Sequence, residues 1–494
     1  MMHNTRATRM LSSINLKAIA VFMAMAFVAV FTGLVATTAN PILIAVMVGL
    51  MGGVALLLVP QLSVWILLVF GLTSGFMASM VPSLNKLPWA LALLSMLLML
   101  PVTIKLIETK KVPGFIWMAL AFMLFALFAT AVQWHSLPQM MAGFKRYFQM
   151  YGLMFALVLL AFKPDDYKRW LKLMLLIALI QLPFALYERF IMVSMRGGVG
   201  LGGSAEATDV VAGTFGANLE GGSANAEMAA FLIMAVAFIG ARWKAGLIKK
   251  SKAFWMGLLC LLPLGLGETK VVILLIPLVW LVLMREEIKK NTAQFLLQFL
   301  GLMILTSMLG LVYIGLNQGS MKDVLDLTLS YNFGVQGYGT NILNRTTVIS
   351  FWWDNQDWND PLGFLLGHGL GSSYFTPDNP VPGHIALRYL GYGIDLTSAS
   401  TILWDIGLIG LVLFLSIFIA AWSTAGRLYK TSLNLAVRAD ALAIQACICI
   451  FLIFVFYGNT LVNYLPFEVI SASILGYLGY LVRSQSGRPT EVVS

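Results

Sequence analysis

Apolar runs close to 20 residues recur along almost the whole chain, and each is long enough to cross a bilayer core of about 30 Å. A bilayer offers backbone N–H and C=O groups no water, so a spanning segment must be a helix or a strand of a closed barrel. The runs are continuously apolar rather than alternating, which selects helices. Only 11% of residues are charged and mean hydropathy is +0.86, whereas a soluble domain is usually about 25% charged. The expectation is an all-α polytopic membrane protein, with residues 1–494 forming a single integral membrane domain and no soluble one.

Spans are expected at roughly 18–38, 41–59, 61–81, 88–106, 113–133, 147–162, 170–191, 226–242, 293–316, 397–422, 440–457 and 464–482. The apolar stretch 253–285 is broken by Gly265-Leu266-Gly267-Glu268-Thr269-Lys270 and reads as two short helices. That makes about 14 transmembrane helices, within a range of 12–14. With the N-terminus inside, five basic turns and the basic C-terminus then share the cytoplasmic side. The turns are 105–111, 163–172, 242–252, 285–290 and 427–438. Both termini are expected to be cytoplasmic, and two polar loops, 192–225 and the large 317–396, to face outward. The first apolar run is read as a membrane helix rather than a cleaved signal. Cys260, Cys447 and Cys449 all lie in apolar spans, which argues against a disulfide framework or a zinc site. The net charge of +10 is not arranged as a basic stretch interleaved with aromatics, so no nucleic-acid partner is expected.

Cations left on the outward side need a reason to be there. They are Lys86, Lys145, Arg146, Arg189, Arg196, Lys270, Lys322, Arg345 and Arg388. Arginine suits a phosphate through its planar fork of donors. The other reading is snorkelling to headgroups or pairing with Glu188, Glu268 or a loop Asp. Arg189, Lys270 and Arg345 together favour substrate binding, with Arg196 and Arg388 as further candidates. Residues 344–359 place Val348, Ile349, Trp352 and Trp353 at helical spacing. That suits a helix on the membrane surface, with the tryptophans at headgroup depth or Trp352 stacking on a sugar. His368, inside Gly367-His368-Gly369-Leu370-Gly371, can carry a proton near neutral pH or serve as a structural hydrogen-bonding group. His384 is open to the same two readings, and His3 and His135 have weaker claims. The glycine run resembles a dinucleotide fingerprint, but it lies in no strand–helix unit.

These residues combine into a pattern that resembles the O-antigen ligase and Wzy-type polysaccharide polymerase superfamily, over roughly residues 180–425. Gly213 to Asn218 followed by Asn225 is similar to that family's glycine–asparagine stretch before a membrane helix. Lys270 stands where the family often has an arginine. Asn344-Arg345, the tryptophans and Asp360-Pro361-Leu362 through Gly371 resemble its outward loop. Trp404-Asp405-Ile406-Gly407-Leu408-Ile409-Gly410-Leu411 resembles the helix that follows.

The resemblance implies metal-independent glycosyl transfer without a cofactor at the outer face of a bacterial inner membrane. Undecaprenyl-pyrophosphate-linked oligosaccharide repeat units would be joined into exopolysaccharide, capsule or O-antigen. Membrane lipids, chain-length regulators and export proteins are the implied partners. Arg345, His368 and Asp395 are the catalytic candidates, and Arg189, Lys270, Arg345, Arg388, Arg196 and Trp352 the substrate-binding ones. The family's ligases carry a His-Asn or His-Ser pair shortly before the last motif, where this chain reads Ile394-Asp395-Leu396-Thr397-Ser398. That departure favours polymerase over ligase to lipid A core and makes Asp395 a substitute base. A transporter or flippase is the alternative class, and it would need ionisable residues near span midplanes.

Overall fold

A computed structural model describes residues 58–108, 112–160, 162–195, 210–218, 223–267, 270–317, 341–359, 361–376 and 381–486, with isolated positions elsewhere. The chain divides into two compact units, Met1–Ser63 and Val64–Ser494, and the helices described belong to the second apart from the first residues of α1. Its elements are helical throughout the described residues. In chain order they are α1 Pro60–Met80, α2 Leu87–Leu97, α3 Met99–Glu108, α4 Gly114–Val132, α5 Leu137–Phe148, α6 Tyr151–Leu159, α7 Pro164–Leu179 and α8 Gln181–Tyr187. After these come α9 Asn225–Lys244, α10 Lys250–Leu261, α11 Val272–Met284, α12 Thr292–Asn317, α13 Thr347–Asp354, α14 Pro361–Leu366 and α15 His384–Arg388. The last three are α16 Ser398–Thr431, α17 Leu435–Tyr457 and α18 Leu465–Ser486.

Eight helices among the described residues are long and apolar enough to cross a membrane. They correspond to the expected spans beginning near 61, 88, 113, 170, 226, 397, 440 and 464. The expected spans 18–38 and 41–59 lie mostly outside the described residues. Of the remaining four, three are shorter helices, and 293–316 lies in a 26-residue helix that is not among the eight. The 147–162 segment is the nine-residue α6, with the amphipathic α5 before it. The 253–285 stretch is two short helices, α10 and α11, as its Gly-Glu-Thr-Lys break predicts. The segment 293–316 falls within α12.

The bundle is centred on α16 and α17, which pack on each other; α4 covers α16, α9 and α11 cover α17, and α18 packs on α6. Facing apolar side chains fill the interior: Phe122, Phe414, Phe418, Phe451, Phe454 and Phe467 are all buried, with ring centroids 4.7–5.8 Å apart along the chain of pairs. Small residues permit the closest approaches. A side chain at Gly152 would strike the Ser95 carbonyl, and one at Gly75 the Phe215 carbonyl. At one end lie the basic turns. At the other, the loop end, lie the described residues of the 317–396 loop.

An ion pair between a half-exposed arginine and a buried aspartate ties the opposite end. Arg242 on α9 reaches Asp440 on α17 in a bidentate contact, 2.7 and 2.8 Å, and Tyr477 on α18 donates to the same carboxylate at 2.7 Å.

The loop is fastened to the bundle through a break in α16. Gly407 has φ 69° and ψ −170°, a left-handed backbone that only glycine adopts without strain. The Gly367–Gly371 run crosses there, with φ of 70°, 87° and 79° at its three glycines. His368 N–H donates to the Trp404 carbonyl at 2.9 Å, and Leu370 N–H to Thr130 Oγ1 of α4 at 3.0 Å. Asp405 then receives four donors. Gly371 N–H (3.0 Å) and Tyr147 O–H (3.1 Å) reach Oδ2, while Ser372 Oγ–H (2.8 Å) and Ser373 N–H (2.8 Å) reach Oδ1.

Asp405→Ala strands these buried donors at about 1–3 kcal/mol each. A local loss of at least about 3 kcal/mol is expected, which hydrogen exchange reads as at least roughly hundredfold faster exchange of the 369–373 amides with α17 unchanged. Unchanged exchange there would remove Asp405 as the fastening.

Candidate functional site

α5 begins at Ser136, whose hydroxyl accepts from Gln139 N–H, with Pro138 in the first turn, and it ends in Lys145 and Arg146. Cations in a last turn complement the helix dipole, but these two also sit half-buried. Gly143 lets α5 press against the loop, because a Cβ there would lie 2.5 Å from Gly371 N. This contact aims Arg146 under the loop, where its guanidinium stacks on the Tyr374 ring. Arg146 makes no ion pair or hydrogen bond with any described residue. Burial pulls it down to about 10, offset by Tyr374, Asp405 and Asp395 nearby, so it stays charged at neutral pH. Lys145 lies 5.2 Å from the Trp89 ring centroid; burial lowers it, while Glu468 opposes the shift.

Asp395 is positioned by the return of the loop to the bundle. Ile342 and Leu343 N–H donate to the Gly391 and Tyr392 carbonyls at 3.0 and 3.1 Å. Downstream, Thr397 caps α16 in a reciprocal box with Ser400. Asp395 is held between these two anchors, half-buried. Burial pushes its carboxyl up to about 7, against the pull of its own backbone N–H, Arg146 and the Phe375 N–H, with Asp405 adding to the rise. A carboxyl titrating near neutrality beside a guanidinium with no ion-pair partner among the described residues can exchange a proton while an anion is held next to it.

Three of the four histidines pack against one another at the loop end. His384 stacks on His135 (centroids 4.2 Å, 16° between planes) and meets His368 edge-on at 6.5 Å, and His368 lies over Trp404. His384 Nδ1 is 3.0 Å from Gln139 Oε1. Burial, then the two neighbouring imidazoles, lower His384 to about 4, so it is neutral at physiological pH. Among the described residues no group of His, Cys, Asp or Glu side chains is placed to hold a metal ion.

The sequence candidates therefore distribute unevenly. His368 lies among the three histidines, and Asp395 lies near Arg146. Arg345 belongs to the same folded loop but turns toward α17: its Nε donates to the Tyr457 carbonyl at 2.6 Å and its guanidinium lies 4.2 Å from the Tyr457 ring centroid. Arg189 is buried in a π-helical turn after α8, next to Glu188, which accepts from Ala212 and Gly213 N–H at 2.8 and 2.7 Å. Lys270 is half-buried just before α11, and Arg388 is exposed at the end of α15 against Tyr389. Arg196 lies outside the described residues. Trp352 is buried, stacked on Phe364 at 5.3 Å, while Trp353 and Trp358 are exposed. Arg146 was legible only as one of several outward cations, and Asp405 only as one letter of a helix motif. Nothing in their spacing joins them to Asp395.

Compared with known proteins, the chain matches no family model and no curated protein sequence.

Because burial disfavours its charge, Asp395 keeps its proton to a higher pH than an exposed aspartate and forms carboxylate as pH rises through about 7. Infrared difference spectra of the protein in lipid should show a protonated-carboxyl band lost with a midpoint near 7 and missing in Asp395→Asn. A midpoint near 4 would exclude Asp395 as a neutral-pH proton acceptor.

Proposed function

We propose that this membrane protein is a glycosyltransferase that joins polyprenyl-pyrophosphate-linked oligosaccharides at the loop end of its bundle. The substrate is read as undecaprenyl-pyrophosphate-linked repeat units, and the product as exopolysaccharide, capsule or O-antigen. The observation that carries the reading is Arg146, a half-buried guanidinium without an ion-pair partner among the described residues, set beside a carboxyl that titrates near neutrality. The site would face outward from a bacterial inner membrane, with both termini cytoplasmic.

In the proposed step the acceptor hydroxyl oxygen bonds to the anomeric carbon of the donor as the bond from that carbon to the pyrophosphate oxygen breaks. The hydroxyl proton passes to the Asp395 carboxylate and then to water. Charge develops on the departing pyrophosphate, which the fixed guanidinium of Arg146, with Lys145 on the same helix turn, stabilises without reorganising. Tyr374 holds the guanidinium plane. The Asp405 contacts hold Tyr147 and the 371–373 backbone, and so the wall of the site. His384, being neutral, would hydrogen-bond rather than add charge. Arg345, placed against Tyr457, would bind the glycan or diphosphate from the α17 side. Arg189 and Lys270 remain candidates for the lipid-linked diphosphate.

A general base contributes about 10²–10⁴-fold, and one fixed charge donor about 10²–10³-fold. Purified protein in nanodiscs, incubated with lipid-linked repeat units without added metal, should build a ladder of polymer. Arg146→Ala should lower its initial rate by at least about a hundredfold, and Asp395→Asn by a similar factor. The wild-type rate should rise as pH passes through about 7. Arg345→Ala should also abolish polymer while the protein remains in the membrane. Normal ladders from Arg146→Ala and Arg345→Ala would sink the assignment. Transfer to a lipid A core acceptor in place of a ladder would make the protein a ligase, and movement of intact lipid-linked glycan without coupling would make it a flippase.

A further inference from the structure

A second site lies at the opposite end of the bundle. An apolar cleft of about 90 Å³ opens between α7 and α10 and is closed behind by α9 and α18. Buried Phe231, Met234, Ile470 and Ile474 form its floor. Leu175 on α7 and Met256 on α10 form half-exposed walls. The cleft runs toward the basic end, where Arg242 and Ile248 complete it. Arg242 is already engaged by Asp440.

Beyond Ile248 the chain reads Lys249-Lys250-Ser251-Lys252, and all four residues are exposed. None of the three lysines takes part in an ion pair among the described residues. The first turn of α10 contains no acid. Across the mouth, α7 carries exposed Arg169 and Lys172 one turn below Leu171 and Leu175. The exposed rings of Phe254 and Trp255, 61% and 60% accessible, follow on α10. Aromatic rings of this kind sit at headgroup depth in a bilayer. The cleft thus offers an apolar slot below the exposed lysines of α10 and the Arg169 and Lys172 of α7, which share their helix with Asp165 and Asp166.

We propose that this cleft binds an anionic phospholipid from the leaflet on the side of the basic turns. A segment of one acyl chain lies in the slot between α7 and α10, with the rest of its length along the exposed helix faces, and the phosphate sits among Lys249, Lys250, Lys252 and Lys172. Each lysine near an anionic lipid surface adds attraction, and hydrocarbon in the slot replaces contacts that an empty cleft forfeits. The bound chain completes the packing of α10, whose outer face has few protein neighbours, onto α9. This site stands apart from the proposed glycosyl transfer and does not depend on it.

The test uses the full-length protein, delipidated in detergent and titrated with phosphatidylglycerol or phosphatidylcholine of matched chains, read by native mass spectrometry and by thermal unfolding. Phosphatidylglycerol should be retained at least tenfold better and should raise Tm, where phosphatidylcholine does not. Replacing Lys249, Lys250 and Lys252 together by Gln, a change confined to exposed side chains, should erase that preference. Ala235→Trp, which fills the slot, should lower retention of either lipid. Equal retention of the two lipids, or an unchanged preference in the lysine variant, would overturn the proposal. So would displacement of phosphatidylglycerol by an equimolar polyprenyl phosphate, which would assign the cleft to an isoprenoid carrier instead.

Discussion

One buried carboxylate holds the loop end of this protein together. Asp405 sits at the break in α16 and collects donors from two loop amides, a loop hydroxyl and the phenol of α5. Burying a charge is expensive unless every lone pair is matched, and here donors reach both oxygens. In this register of the loop four donors meet the carboxylate. Three left-handed glycines let the loop backbone come close enough to do so, and Gly407 turns the carboxylate toward them. α5, the α16 break and the 367–375 segment therefore form one mechanical unit.

The electrostatics of the neighbouring site follow from that unit. Because the Asp405 lone pairs are occupied by loop donors and Tyr147, Asp405 does not close an ion pair onto Arg146. The guanidinium stays charged, stacked and available. Asp395, in turn, is withdrawn from water by the same loop closure and so titrates near neutrality instead of in the ordinary aspartate range. An available cation and a neutral-pH acid are two consequences of a single packing event.

Helix positions were largely readable from apolar run length, since a bilayer forces hydrogen bonds to close within each segment. The break between α10 and α11 was readable from Gly265 to Lys270 for the same reason. Where the reading fell short, the segments were short and amphipathic. α5 carries glutamine, glycine and two cations among its apolar residues, so its apolar run is too brief to announce a helix lying at the bundle end. Trp352 and Trp353 look alike in the sequence, yet one is buried and the other exposed. That difference depends on the face α13 turns to Phe364 and Trp404, and no local pattern encodes it.

By itself the sequence determined that the chain is helical and membrane-embedded, where polar loops interrupt it, and which glycines, cations and acids are available for chemistry. Those properties are set locally, by composition and by the hydrogen-bonding needs of a backbone in lipid. Tertiary structure decided which of those groups meet. Arg146, Asp395 and Asp405 come together only because α5 and the loop converge on the broken helix, while Arg345 is drawn to Tyr457 on the other side. A charge's partner, and hence its pKa and its use, is a property of distance in space. Residues far apart in the chain carry no record of that distance in their order.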